Sequence, residues 1–258
     1  MKFLKRIIFC LYYKEGFFHL SRNFKLQRVG DVDWLIKNFG FGNTANNIDE
    51  LIILLVKKNP TEKDFGSFAF DISELRKNIF IPITLGGGIR NAKIAKSFFD
   101  NGADKILINS VAYNNKEVIY EIASEYGNQA ISVMIDHKKN NNETNLYSEC
   151  GTKLEKISLQ QHLENLSRLS CGEIIINSID NDGNGSGIDL KILNSINITI
   201  GKPILIMGGA GKPEHLSTAL SSKKISGVIT ANLFNFLGEG LKLARNFALK
   251  KNIPLAEF

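Results

Sequence analysis

Eight short runs of β-branched and aliphatic residues, separated by helix-like or polar stretches, constrain this chain more than any other feature. They cover residues 6–12, 50–56, 81–85, 105–109, 130–135, 173–177, 203–207 and 227–230. Helical spacing appears between them at 92–101, 116–126, 158–169 and 213–221. Runs that are apolar throughout, not alternating, belong to strands covered on both faces, and strands that alternate with helices pair in parallel. The expected fold is an α/β structure, a (β/α)8 barrel in one domain over residues 1–258. The first helical stretch, 31–47, is poorly formed: it holds Gly40-Phe41-Gly42 and a run of asparagines.

The two halves of the chain repeat each other. Gly172-Glu173-Ile174-Ile175-Ile176 answers Asp49-Glu50-Leu51-Ile52-Ile53, and each is followed by a strand that ends in a glycine turn. These turns are Leu85-Gly86-Gly87-Gly88-Ile89-Arg90 and Met207-Gly208-Gly209-Ala210-Gly211. The pattern is that of two fused half-barrels. Glycine at a strand-to-helix turn lets backbone N–H groups approach an anion, because no Cβ intervenes and the helix N-terminus is electropositive. Two copies therefore point to two phosphate sites, at the C-terminal ends of the strands, where barrels of this kind carry their ligands.

Composition narrows the function. With 258 residues, 43% of them apolar, the chain can bury a full core. Its net charge of +6 is spread along the sequence, with no basic block interleaved with aromatics, which argues for a phosphorylated ligand and against nucleic acid. Cys10, Cys150 and Cys171 have neither metal-ligand spacing nor a disulfide framework, so a reduced cytoplasm is expected. The basic and apolar N-terminus ends at Lys14-Glu15 without a small-residue cleavage site, and no other run approaches the length of a membrane span. His19, His137, His162 and His215 are scattered and are assigned surface or incidental roles, His137 pointing away from Asp136. Trp34 and the phenylalanines are expected in helix–barrel contacts, and 138–145 as one solvated loop. Asp180 and Asp182, beside Gly183 and Gly185, suit a loop folding over a phosphorylated ligand better than a metal site. No metal or cofactor is called for.

Read in order, Arg6-Ile7-Ile8-Phe9-Cys10-Leu11, the first glycine turn, Ala103-Asp104-Lys105, Ile108-Asn109-Ser110, Ile135-Asp136, Ser178-Ile179-Asp180-Asn181-Asp182-Gly183 and the second glycine turn resemble one known family. It is the cyclase subunit of imidazole glycerol phosphate synthase, HisF. The resemblance implies a barrel that takes ammonia from a glutaminase subunit, as a heterodimer, and uses it on a substrate phosphorylated at both ends, in histidine biosynthesis. It implies a catalytic role for Asp136 at the end of strand 5. One phosphate would lie at Gly87, Gly88, Asn109 and Ser110, the other at Asp182, Gly183, Gly208, Gly209, Ala231 and Asn232. It also implies an ammonia gate on the opposite rim, formed by Arg6, Glu50, Lys105 and Glu173.

The first half departs from the family pattern. Where strand 1 should end in a second catalytic aspartate, this chain has Tyr12; Leu55 replaces a second-strand acid, and Leu20 falls near a loop lysine. Tyrosine, with an ordinary pKa near ~10, is a poor base at neutral pH. Two functions stay open. One is a cyclase with Asp136 as its acid–base group. The other is an ammonia conduit and glutaminase activator, like a divergent branch of the family that works beside an amidotransferase making acetamidino sugars of surface glycans.

Overall fold

The structure, a computed structural model, describes residues 4–39, 47–140, 143–231 and 239–256. Among the described residues there are twelve strands: β1 (Arg6–Lys14), β2 (Phe17–Arg22), β3 (Lys25–Gly30), β4 (Glu50–Leu55), β5 (Ile83–Gly86), β6 (Lys105–Ile108), β7 (Ile131–Asn140), β8 (Glu143–Ser148), β9 (Lys153–Glu155), β10 (Glu173–Ser178), β11 (Ile204–Met207) and β12 (Gly227–Thr230). Eight of them, β1, β4, β5, β6, β7, β10, β11 and β12, pair in parallel in that order, and β12 returns to β1 to close a (β/α)8 barrel. Around it run α1 (Val32–Phe39), α2 (Glu62–Arg76), α3 (Ala92–Asp100), α4 (Val111–Asn114), α5 (Lys116–Tyr126), α6 (Leu159–Arg168), α7 (Pro213–Leu220) and α8 (Gly240–Lys250). Among the described residues no helix is long and apolar enough to cross a membrane.

Side chains alternate across each barrel strand, so every strand feeds two cores. Ile7, Phe9, Leu11 and Tyr13 join the outer core beneath the helices, with Phe68, Ile72 and Leu75 of α2. Ile8, Cys10 and Tyr12 face inward, against Ile52, Leu107, Met134, Ile175, Leu205, Met207 and Ile229. Helix starts are secured locally. Thr61 and Asp64 form a reciprocal capping box at α2, and Ser158 and Gln161 form another at α6.

Two expected loops are hairpins instead. β1 does not stop at Tyr12; it continues to Lys14, turns through Glu15 and Gly16, both at positive φ, and pairs antiparallel with β2. Likewise β7 runs on to Asn140 and pairs with β8, so the stretch at 138–145 is mostly strand and not a solvated loop. A mixture of polar and apolar residues hid both, because these extensions rise above the barrel and are only partly covered. Trp34 also departs from expectation: it is 37% exposed and packs over Gly30, where a Cβ would meet its ring at 2.7 Å. Among the phenylalanines, Phe68 and Phe98 are in the core, whereas Phe70 and Phe80 are exposed.

His137 and His162 are buried, not on the surface. His162 stacks on Tyr113 with ring centroids 4.0 Å apart. Burial, the largest cause in each, pushes both imidazoles down to about 4, so they are neutral in the folded protein. Their stabilising contribution is complete above the unfolded value of ~6.5 and is lost as pH falls from there toward 4. His162→Asn should therefore destabilise the protein less at pH 5 than at pH 7.5, by about 1–2 kcal/mol. Urea unfolding at the two pH values checks this; an equal loss at both would contradict it.

Candidate functional site

At the N-terminal rim of the barrel, the first inward residues of four strands are charged. Arg6 of β1 bonds Glu50 of β4 at 2.9 Å and Glu173 of β10 at 2.5 Å; Lys105 of β6 bonds the same two carboxylates at 2.7 and 3.0 Å. The four charges thus close a ring of alternating sign. Thr84 adds a hydrogen bond to Glu50, and Ser132 donates to Glu173 at 2.6 Å. Burial would raise the Glu173 carboxyl, but Arg6 and Lys105 together outweigh it and hold it below the usual range. Alternation is what lets four charges crowd one opening, since an unpaired charge in so dry a site is costly.

At the other end of these inward rows, the last residues are polar. Asp136 ends the row on β7, beside Asn177 on β10, and Asn109 follows β6. Asn177 Nδ2 donates to Asp136 Oδ1 at 2.8 Å and Asn109 Nδ2 to Asp136 Oδ2 at 3.0 Å. Burial, opposed by the Asn177 bond and reinforced by Asp182, pushes the Asp136 carboxyl up to about 7. Tyr12 is the last inward side chain of β1; its hydroxyl is buried without a partner. Burial, with Cys10, Asp182 and Asp136, raises its pKa well above the ordinary value. Proton uptake by a Tyr12 phenolate is thereby excluded near neutral pH.

Two hollows open above this layer. The larger, of about 890 Å³, is lined by Tyr12, Asp136, Asn177, Gly87, Gly88, Asn109 and Ser110, and by the cations Lys14, Lys57, Lys58 and Arg90. Lys57 is paired with Asp64 at 2.8 Å and Lys58 with Glu149 at 2.9 Å. The smaller, of about 150 Å³, is lined by Leu20, Ser21, Asp182, Gly183, Gly208, Gly209 and Ala231. The two sets of expected phosphate residues thus fall in two separate hollows, as the repeat of the chain suggests. Asn232 lies outside the described residues.

The glycines are required by the fold itself. Gly87 and Gly209 have φ of +101° and +96°, and a Cβ at either would stand 2.1 Å from a backbone oxygen, of Leu55 and Gly187 respectively. Asn109 and Asp182 already have internal partners. Asn109 spends its amide nitrogen on Asp136, and Asp182 accepts from Ser21 Oγ at 2.5 Å and from the Phe24 amide at 3.0 Å. Asp182 therefore fastens the β2–β3 hairpin down onto the 179–183 loop, a contact that Asn23 extends by donating to the Ile179 and Asp180 carbonyls. Asn177 is the one residue of the layer that the motifs did not single out. What marks it out is its register with Asp136 across the β7–β10 pair, which the sequence does not display.

The model of the family described as "Histidine biosynthesis protein" matches residues 45–239. A protein of Parasynechococcus marenigrum (strain WH8102), named "Putative imidazole glycerol phosphate synthase subunit hisF2", is 43% identical over 95% of this chain and 90% of its own length. The HisF subunit of imidazole glycerol phosphate synthase of Natranaerobius thermophilus is 32% identical over 97% of this chain and 98% of its own. The chain belongs to the HisF family. The HisF subunit of Prosthecochloris aestuarii is 30% identical over 96% of this chain and 97% of its own. Against that background Tyr12 is notable for its place: it points into the HisF-type barrel from the strand opposite that of Asp136, in the electrostatic field of both Asp136 and Asp182.

Proposed function

We propose that this chain is the synthase subunit of a glutamine-dependent complex: ammonia released by a glutaminase docked at the charged rim passes through the barrel to a substrate phosphorylated at both ends. The observation that carries this reading is that the ring and Asp136 cap the same set of inward rows. Between them lie Ile8, Cys10, Ile52, Leu107, Met134 and Ile175, an apolar interior that favours neutral ammonia over ammonium. The two hollows, with their glycine turns, suit the two phosphates, and the lysines and Arg90 of the larger one complement the same charge. Asp136, near half-protonation at neutral pH, is suited both to give a proton to a departing oxygen and to take one from the attacking nitrogen.

One observation favours a second reading. Tyr12 cannot serve as a base, so the site has one acid–base group where the HisF resemblance implies two, and the barrel would then deliver ammonia to a separate amidotransferase with little cyclisation of its own. The test is to give the purified chain the histidine-pathway precursor with concentrated ammonium salt, bypassing the glutaminase. Formation of imidazole glycerol phosphate is expected, with a pH profile that turns near 7. No turnover by a folded chain that still binds the precursor would sink the cyclase reading and favour the conduit.

A further inference from the structure

Asn177 is an expensive residue to place where it is. It is 2% exposed, faces inward directly above Ile175 in its row, and has Met134 beside it. Its amide nitrogen is satisfied by Asp136, but its Oδ1 is buried without a donor, and so is that of Asn109. A buried amide with an unpaired oxygen weakens a fold compared with an apolar side chain of the same shape. Packing therefore gives no reason for asparagine here, and the bond to Asp136 does.

The bond is built by the strand register and not by a flexible loop. β7 and β10 pair in parallel with Asp136 and Asn177 as direct partners, so the two side chains leave adjacent strands at one level. Asn109 approaches from the opposite neighbour, β6, and takes the other carboxylate oxygen. The carboxylate is thus held by both oxygens between two amides, one from each side.

We propose that Asn177 is a positioning residue for Asp136: with Asn109 it fixes the orientation of the carboxylate and stabilises its ionised form against burial, so that the proton can leave at neutral pH. This rests on the reading of Asp136 as the acid–base group. The other groups around Asp136 offer no such help. Asp182 on the loop after β10 opposes ionisation, and Tyr12 on β1, Tyr113 on α4 and Cys150 in the β8–β9 turn are neutral groups in its field. The charged groups lining the same cavity are Lys14, Glu15, Lys57, Lys58, Arg90 and Glu149. Lys57, Lys58 and Glu149 are paired among themselves or with Asp64, and Arg90 donates to the Lys58 carbonyl and to Asn59.

The test is a carbon-13 NMR titration of the aspartate carboxyls of the full chain without substrate, with the Asp136 signal assigned from Asp136→Asn. The wild-type midpoint is expected at about 7. In Asn177→Ala it should rise by roughly one unit or more, because a hydrogen bond to the charged form is lost, and Asn109→Ala should shift it the same way. Asn177→Thr, which keeps a donor, should bring the midpoint back toward wild type and gives a second reading if the alanine variant folds poorly. Ammonium-dependent kcat should fall in Asn177→Ala with little change in KM. An unmoved midpoint in folded Asn177→Ala would overturn the proposal, as would an unmoved midpoint in folded Asn109→Ala should the Asn177 variant not fold, whatever the turnover. A shifted midpoint in a protein that shows no turnover would uphold the clamp and discard the acid–base reading of Asp136 instead.

Discussion

Replacing Asp136 with asparagine is expected to lower ammonium-dependent turnover by ~10²–10⁴-fold and, at the same time, to make the protein more stable above pH 7. The two effects have one cause. Burial holds the carboxyl at about 7 in the folded protein, well above its unfolded value. Its charged form is therefore disfavoured by folding. For a raised carboxyl the cost is absent below the unfolded pKa of ~3.9, grows through the window up to the folded one, and is complete above it. Asparagine removes that cost. It also loses something, because Asn109 and Asn177 both donate to Asp136 and an amide offers only one oxygen. The net gain should be about 1–3 kcal/mol at pH 8 and turn into a net loss of about 1–3 kcal/mol at pH 4, where the burial cost is absent and only the lost hydrogen bonds remain. Urea unfolding at the two pH values, alongside the assay, measures both. Turnover that survives the substitution would remove Asp136 from the chemistry and leave the conduit reading in place.

Lys105→Glu should be the most destabilising single substitution at the rim. It would put three carboxylates around Arg6 where there are now two, and the side chains of Glu50 and Glu173 are only 3% and 7% exposed. Breaking a buried ion pair costs about 3–5 kcal/mol, and for a chain of this size that corresponds to a fall in Tm of roughly 10 °C. Lys105→Met leaves Arg6 bridging both glutamates and should cost less. If the rim is the ammonia entrance, Lys105→Met should also change glutamine-dependent turnover in the assembled complex while sparing turnover with ammonium salt. Equal effects on both would separate the ring from ammonia transfer and leave it as a structural closure of the barrel.

The barrel was legible because its signal is dense. Apolar runs such as Ile52-Ile53, Ile106-Leu107-Ile108 and Ile174-Ile175-Ile176 are buried on both faces, and all eight expected runs are barrel strands. The hairpins were not legible, because Phe17–Arg22, Lys25–Gly30 and Glu143–Ser148 mix polar and apolar residues as half-exposed strands do. The four rim charges could be picked out because each begins a strand just before an apolar run. Asn177 could not, because one polar residue at the end of a strand looks like any strand end until its neighbour across the sheet is known.

By itself, then, the sequence determined the eight barrel strands, the half-barrel repeat, the glycine turns and which residue types stand at each barrel-strand end. These follow from local properties: runs of apolar side chains, backbone freedom at glycine, and identity at a position. The tertiary structure alone decided that Arg6, Glu50, Lys105 and Glu173 close one ring, that Asp182 anchors the β2–β3 hairpin, and that Asn109 and Asn177 grip the two oxygens of Asp136. Each of these joins residues tens to more than a hundred positions apart. Closure of the barrel and the register of its strands set such pairings, and with them the burial that moves the Asp136 proton to neutral pH.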